Sequence, residues 1–403
     1  MLRKVGVTGA LAAVVAVAVS ATLGGTASAR ISAGALATAN HSCNTPFTIG
    51  VAYPETGPAA SLGALQWDWA QFAASRWNNG HKPKINLLQG DTQLAGANPQ
   101  ALQVAQAFAS NQAVMAVTGP AGSQENIQSI AAYQAGGLAA VSGSATRVSL
   151  TRGPGRQTPV GYFFRTVPND GQQGQNVADY IANVLHATHV RIIDDQEAYS
   201  TGLRDQVKSN LQAKGVAVTL DSISQQTPDY SSVITAIPSN TDVVYIPWQV
   251  ASMAQTFYTG LHAAGKGSMI VFGSDGTDDP SSFYGAGSYV SGFPHAPDNP
   301  IFQAFKTSHG GQGEAFGLPT YTSVLANAKA IKLACAGQIS TTRAGIRGQL
   351  KNVFIGTFSS LLGFPVHFLT FNKGKFQGPG DMGGTAAFGI YKIQNDGSYK
   401  RVG

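Results

Sequence analysis

Two hydroxyl residues, Ser123 and Thr146, stand where such side chains could hold an anion. Each closes a loop of small residues that follows a short apolar run. The run 114–117 (VMAV) leads into Thr118-Gly119-Pro120-Ala121-Gly122-Ser123, and the run 138–141 (LAAV) into Ser142-Gly143-Ser144-Ala145-Thr146. Gly119, Gly122 and Gly143 would let backbone approach a bound group, and the hydroxyls would donate to it. Ser123 falls where a helix N-cap is expected, so unpaired amides at a helix start would add to the anion site. A plainer reading stands beside this one, in which Ser123 only caps its helix and Thr146 only ends a turn.

The surrounding elements decide whether the two loops meet. Short apolar runs bounded by Gly and Pro read as buried parallel strands, and the stretch between them reads as a helix. A strand–helix–strand unit delivers both loops to one sheet edge, outside the strand carboxyl ends, where open α/β sheets bind ligands. The same alternation fills most of the chain. Strands are expected at 47–53, 85–88, 162–167, 190–193, 216–220, 243–246 and 269–272. Helices are expected after Gly63, at 99–110, 173–185, 201–214 and 230–237, and after Trp248-Gln249 to about 264. Trp67, Phe72 and Trp77 are expected in the core from the first helix, and Leu102, Ala105 and Phe108 from the second.

Alternation of this kind implies parallel sheets with helices on both faces. The fold class is therefore α/β, with two Rossmann-like lobes. Lobe 1 is assigned 45–165 plus 294–365, and lobe 2 is assigned 166–293 plus 366–403. The chain is expected to cross between them near Arg165, Phe293 and Pro365, a three-segment hinge with ligand held in between. Helices at 318–335 and 343–353 and a Gly-rich antiparallel tail from His367 complete the reading.

Composition narrows the function classes. The 403 residues are 43% hydrophobic and 11% charged, enough for a sizeable core. The net charge is +6, and no Lys/Arg block is present, so neither nucleic acid nor a membrane surface is indicated as partner. Residues 1–29 have the pattern of a secretory signal: Arg3 and Lys4, an apolar stretch too short to span a bilayer, and Ala27-Ser28-Ala29 before the cut. A leader, 30–44, follows it. Export to the periplasm or the extracellular space is expected, and with it a disulfide between Cys43 and Cys335, the two cysteines of the chain.

Taken together, the motifs resemble the periplasmic binding proteins of the leucine/isoleucine/valine type, the solute receptors of ABC transporters. The resemblance is carried by TGPAASLG at 56–63, VTGPAGSQE at 117–125, VSGSAT at 141–146, YFFRTVPNDGQQG at 162–174, IIDDQEAYSTGL at 192–203 and LPTYTSVLANAKAI at 318–331. It implies that Ser123 and Thr146 hold a ligand carboxylate, that the backbone at Ser144 and Ala145 helps hold an ammonium, and that Tyr199 closes over the ligand from the other lobe. Asp275 matches the acid that pairs with the ammonium. Its plainer reading is a turn residue in Ser274-Asp275-Gly276. An acid facing a hydroxyl-lined site suits an α-amino acid zwitterion.

Three positions depart from the family pattern. Leu62 stands where a Trp is common, Trp248 and Gln249 stand where the branched-chain receptors carry Gly and Tyr, and Asp275 replaces the usual Glu. These changes open the ligand pocket to a larger, aromatic or amide-bearing solute.

The function expected is capture of an amino acid or similar small polar solute for an ABC transporter permease, by a monomer that needs no cofactor. A ligand sensor of the same fold is the alternative. Enzymatic readings find little support. Gly311-Gln312-Gly313 opens no strand-to-helix turn, and neither a nucleophile elbow nor a phosphate-binding loop is present. His186 and His189 lack partners at metal-ligand spacing.

Overall fold

The computed structural model describes residues 40–94, 99–293, 299–309, 316–337, 340–356, 365–368, 371–372, 375–376, 380–382 and 388–403. The segment read as a secretory signal, most of the leader, and Gly311-Gln312-Gly313 lie outside them.

The first half of the chain builds one sheet. Its strands are β1 (Phe47–Tyr53), β2 (Ile85–Asp91), β3 (Val114–Thr118), β4 (Ala140–Ser142) and β5 (Phe163–Arg165). They lie in the order β2-β1-β3-β4-β5, all parallel. Helices α1 (Ala60–Gly80), α2 (Gln100–Ser110) and α3 (Ser123–Ala135) connect them. β3 is buried at every position, as a central parallel strand must be. β4 is shorter than expected and starts later, after the turn at Gly136 and Gly137 that ends α3.

The second sheet follows the same plan. α4 (Asp170–Asn183) precedes β6 (His189–Asp194). Then come α5 (Ala198–Ala213), β7 (Ala217–Ser222), α6 (Ser231–Ala236), β8 (Val243–Ile246), α7 (Ala251–Ala263), β9 (Ile270–Gly273) and β10 (Tyr289–Gly292). α8 (Pro300–His309), α9 (Gly317–Ala336) and α10 (Arg343–Gln349) follow, with short two-residue strands β11 (Phe354–Ile355), β12 (Val366–His367), β13 (Phe371–Asn372) and β14 (Lys375–Phe376). β15 (Gly389–Ile393) and β16 (Tyr399–Arg401) return to the second sheet and add its antiparallel edge, giving the order β16-β15-β10-β9-β8-β6-β7. The protein is thus α/β with two lobes.

α9 is buried on nearly all of its faces, as expected of a helix apolar all round. It lies across the first sheet, where its polar side chains satisfy strand ends. Ser323 Oγ donates to the Val141 carbonyl (2.6 Å), and Asn327 Nδ2 donates to the Val117 carbonyl (3.0 Å). The sulfurs of Cys43 and Cys335 are bonded (2.01 Å), so the chain just before β1 is tied to the end of α9, as the cysteine count suggested.

The aromatic core of α1 differs from expectation. Trp69 is fully buried and stacks on Phe305 at 3.7 Å, whereas Trp67 and Phe72 are only partly buried and Trp77 is buried as expected. Spacing near 3.6 fits several faces of a helix this long, and α8 and α9 select the one that Trp69 shares. On α2 the buried face is Ala101, Val104, Ala105 and Phe108, with Leu102 at its margin. No helix of the described residues is long and apolar enough to cross a membrane.

Candidate functional site

The carboxyl ends of β3 and β4 place the two small-residue loops side by side. Gly119 has φ +97°, and a Cβ there would lie 2.3 Å from the Ala52 carbonyl oxygen; a Cβ on Gly143 would lie 2.8 Å from the Thr320 backbone nitrogen. These glycines therefore admit neighbouring backbone, from β1 and from α9, rather than a ligand directly. The loop at 142–146 is held from within. Ser142 Oγ accepts from the amides of Ser144 (3.2 Å) and Ala145 (3.0 Å), and Ser144 Oγ donates to the Ala121 carbonyl (2.9 Å).

Ser123 is the first residue of α3 and not its cap. Gly122 takes the cap position, and the Glu125 carboxylate accepts from its amide at 2.7 Å. Freed from capping, Ser123 Oγ accepts from the Arg147 amide (3.3 Å) and so joins the two loops. Thr146 is fully buried, and its hydroxyl has no hydrogen-bond partner among the described residues.

The other lobe contributes Tyr199 at the start of α5 and Asp275 after β9. The Tyr199 hydroxyl donates to Asp275 Oδ1, which also accepts from Gln173 Nε2 at 2.7 Å. Asp275 opens a one-turn 3-10 segment, but Ser274 and Thr277 close that turn, with the Ser274 amide donating to Thr277 Oγ1 (3.0 Å). The Asp275 carboxylate is thereby left to face the cleft rather than serve its own turn. Burial pushes it up to about 6, although the hydrogen bonds from Tyr199 and Gln173 pull it back. Burial raises the Tyr199 phenol as well, and the Asp275 charge adds to this.

A cavity lies between the lobes. Leu62, Leu94, Ala121, Ser144 and Phe316 form one side, and Tyr199, Gln249, Asp275 and Gly276 the other. Its free volume is about 20 Å³, room for about one water molecule. Leu62, Ser144, Tyr199, Gln249 and Asp275 thus come together as the sequence suggested. Ser123, Ala145 and Thr146 are buried behind this lining. Trp248 lies elsewhere: it is fully buried in the core of the second lobe, stacked on Tyr230 at 5.5 Å, with its indole N–H donating to the Ile193 carbonyl (2.7 Å). A position adjacent to Gln249 in sequence points to the opposite side of the chain, and the apolar ring follows the core side.

Sequence reasoning missed four residues here. Leu94 and Phe316 line the cavity from segments that carry no motif. Gln173 was inside the PNDGQQG segment, yet nothing local tells that it reaches Asp275. Arg147 spans the lobes: it donates to the Ala198 carbonyl and to Thr201 Oγ1 (3.2 Å) at the start of α5. Behind the loops, Arg165 is fully buried. Its Nε donates to Asp381 (2.7 Å), and its Nη1 donates to the carbonyls of Ala145 (3.1 Å) and Arg147 (3.0 Å).

The sequence model of the family described as periplasmic binding protein matches residues 46–379. An amino acid binding protein of Pseudomonas aeruginosa is 33% identical over 204 residues, which is 49% of this chain and 52% of that protein. A Leu/Ile/Val-binding protein homolog of Brucella melitensis is 29% identical over 292 residues, 69% of this chain and 76% of that protein. With the first of these, as with several other curated relatives, the match spans about half of the relative's length. Among solved structures, a leucine-binding protein of Thermotoga maritima superposes with a TM-score of 0.75 at 19% identity, covering 89% of this chain and 98% of that one. A branched-chain amino acid transporter substrate-binding protein of Streptococcus pneumoniae, in complex with isoleucine, gives 0.71 at 19% identity, with 89% and 99% covered. The parallel two-lobed fold, the paired loops of the first sheet and the family match over most of the chain agree: the protein belongs to the periplasmic binding protein family.

Proposed function

We propose that the protein is an exported solute receptor, periplasmic or extracellular, that captures an amino acid or similar small polar solute between its lobes and presents it to an ABC transporter permease. The single observation that carries this reading is the composition of the interlobe cavity. One side offers apolar walls and the small-residue loop at Ser144, and the other offers the buried acid Asp275 with the Tyr199 hydroxyl. In this reading the ligand ammonium replaces the Tyr199 hydroxyl as the main partner of Asp275. The ligand carboxylate meets the Ser123 and Thr146 loops, and Leu62, Leu94 and Phe316 face its side chain. Gln249 adds an amide at the rim, which suits a solute with a polar end.

Closure is a shift of an equilibrium that exists without ligand, and ligand that fits both lobes favours the closed form. No bond is made or broken, the protein acts as a monomer, and no cofactor takes part. The match of relatives named for amino acid or Leu/Ile/Val binding supports the ligand class.

A thermal-shift screen of the secreted protein tests the reading, using L-amino acids, amides, small aromatic acids and nucleotides. Free ligand at a hundred times its Kd adds about 2.7 kcal/mol of stability. A rise in Tm with a subset of amino acids is the expected result, and its loss in Asp275→Ala would place the ammonium. A rise with nucleotides alone would overturn the proposal.

A further inference from the structure

Asp170 is the first residue of α4, where the chain has just crossed from the first lobe. Its amide donates to the Thr146 carbonyl at 2.9 Å, which fixes the start of α4 against the loop of the candidate site. Both residues are fully buried. Asp170 has no capping duty, because Asn169 Oδ1 accepts from the Gly171 amide (3.0 Å) and caps the helix. Neither carboxylate oxygen of Asp170, nor the Thr146 hydroxyl, makes a hydrogen bond of good geometry to any described residue. The Thr146 hydroxyl acts against burial, lowering the Asp170 carboxyl.

The charged and titratable neighbours come from several elements. Asp275, Tyr199 and Tyr245 lie on the second-lobe side, and Arg147 and Arg165 on the first. Both guanidinium groups are committed elsewhere. Arg165 is taken by Asp381, Thr151 and the carbonyls of Ala145 and Arg147, and Arg147 by Ser149, Ala198 and Thr201. Asp170 is therefore a buried acid with a second acid, Asp275, nearby and no direct cation. Burial first, and Asp275 next, push its carboxyl up to about 7.

A threonine hydroxyl has one proton to give. We propose that Asp170 is a positioning residue that sets the direction of the Thr146 hydroxyl. As a neutral acid it donates to Thr146 Oγ1 and leaves the Thr146 O–H for a ligand carboxylate. As a carboxylate it takes that O–H for itself and leaves the ligand an oxygen lone pair. The first half of this inference concerns the protein alone. The second half rests on the receptor reading above and deepens it: the site favours carboxylate-bearing solutes when Asp170 holds a proton, and amines without a carboxylate gain nothing from it.

Two measurements on the full secreted chain separate the halves. The first is a carbon-13 carboxyl titration of ligand-free protein, with the Asp170 signal assigned by its absence in Asp170→Asn. The signal is expected to titrate above pH 6, and to move higher still in Thr146→Val, which lacks the hydroxyl that lowers it. Titration below pH 5, or no movement in Thr146→Val, would overturn the proposal whatever the ligand is.

The second is calorimetric binding of L-leucine and of isoamylamine, which lacks the carboxylate, between pH 6.5 and 8.5. Wild-type affinity for L-leucine should fall at least fivefold across the range. Asp170→Asn, whose amide N–H still donates to Thr146 Oγ1, should hold it flat. Isoamylamine, which has no carboxylate to lose the Thr146 O–H, should show no such fall in either protein. An equal fall for L-leucine in wild type and Asp170→Asn would refute the role in binding. No binding of L-leucine at any pH would count against the ligand class of the receptor reading, leaving the titration to decide the coupling of Asp170 to Thr146.

Discussion

The two sides of the cleft are built on opposite principles. The first-lobe side is backbone and small hydroxyls, fixed from beneath. Ser142 holds the amides of Ser144 and Ala145, α9 holds the ends of β3 and β4, and the buried Arg165–Asp381 pair holds the carbonyls of Ala145 and Arg147. The second-lobe side is made of side chains with polar ends, two of them titratable. Tyr199, Gln173 and Asp275 bond mainly to each other, and burial raises both the acid and the phenol. A rigid face gives a reference geometry, and an adjustable face can trade its internal hydrogen bonds for bonds to a ligand. On the receptor reading, stability belongs to the first side and affinity to the second.

Breaking the rigid side should have the largest effect. Arg165→Ala leaves Asp381 buried without its main cation, and loss of one partner of a buried pair costs about 3–5 kcal/mol. Denaturant unfolding should show that loss, and a change below about 1 kcal/mol would contradict the account of how the loop at 142–146 is held. Asp381 is held down to about 2, because Arg165 and Arg152 outweigh the penalty of its burial. A depressed carboxylate contributes stability that is present above its unfolded value and lost as pH falls. The wild-type advantage over Arg165→Ala should therefore shrink below about pH 4.

The adjustable side should respond in binding instead. Asp275→Asn removes the charge that an ammonium would meet. A hydrogen bond to a charged group contributes about 1.5–3 kcal/mol, so affinity should fall roughly 10- to 100-fold by calorimetry while the fold stays intact. Stability should follow pH with the opposite sign to Asp381. Asp275 and Asp170 bind protons more tightly folded than unfolded, so ligand-free protein should lose stability as pH rises from about 4 to about 7. Asp275→Asn and Asp170→Asn should each flatten that slope in thermal melts. Tyr199→Phe is the mildest test. It frees one bond on Asp275 that a ligand must otherwise displace, so stability should change by no more than about 1 kcal/mol. If it lost several, Tyr199 would belong with the rigid side.

Much of this was legible before any coordinates. The strand–helix alternation, the placing of the two loops at one sheet edge, the disulfide, and the pairing of Tyr199 and Asp275 with the Ser144 loop follow from local residue pattern and from the family resemblance those patterns carry. Periodicity reports which residues form a strand or helix, and small-residue loops after apolar runs report where such an edge lies. What the pattern left open is orientation within an element. Ser123 fell one position inside its helix because Glu125 could reach back to the Gly122 amide, and Trp248 turned to the core while Gln249 turned to the cleft.

Only the tertiary structure decided the partners that are distant in sequence. Gln173 meets Asp275, Arg147 meets the start of α5, Arg165 meets Asp381, and Asp170 lies against Thr146. Each of these depends on how the two sheets and the crossing segments pack, and burial at those crossings is what moves the carboxyl groups away from their ordinary values. Sequence determined which chemical groups the protein possesses and on which elements they ride. Packing determined which of them share a desolvated space, and it is there that charge and hydrogen bonding acquire their strength.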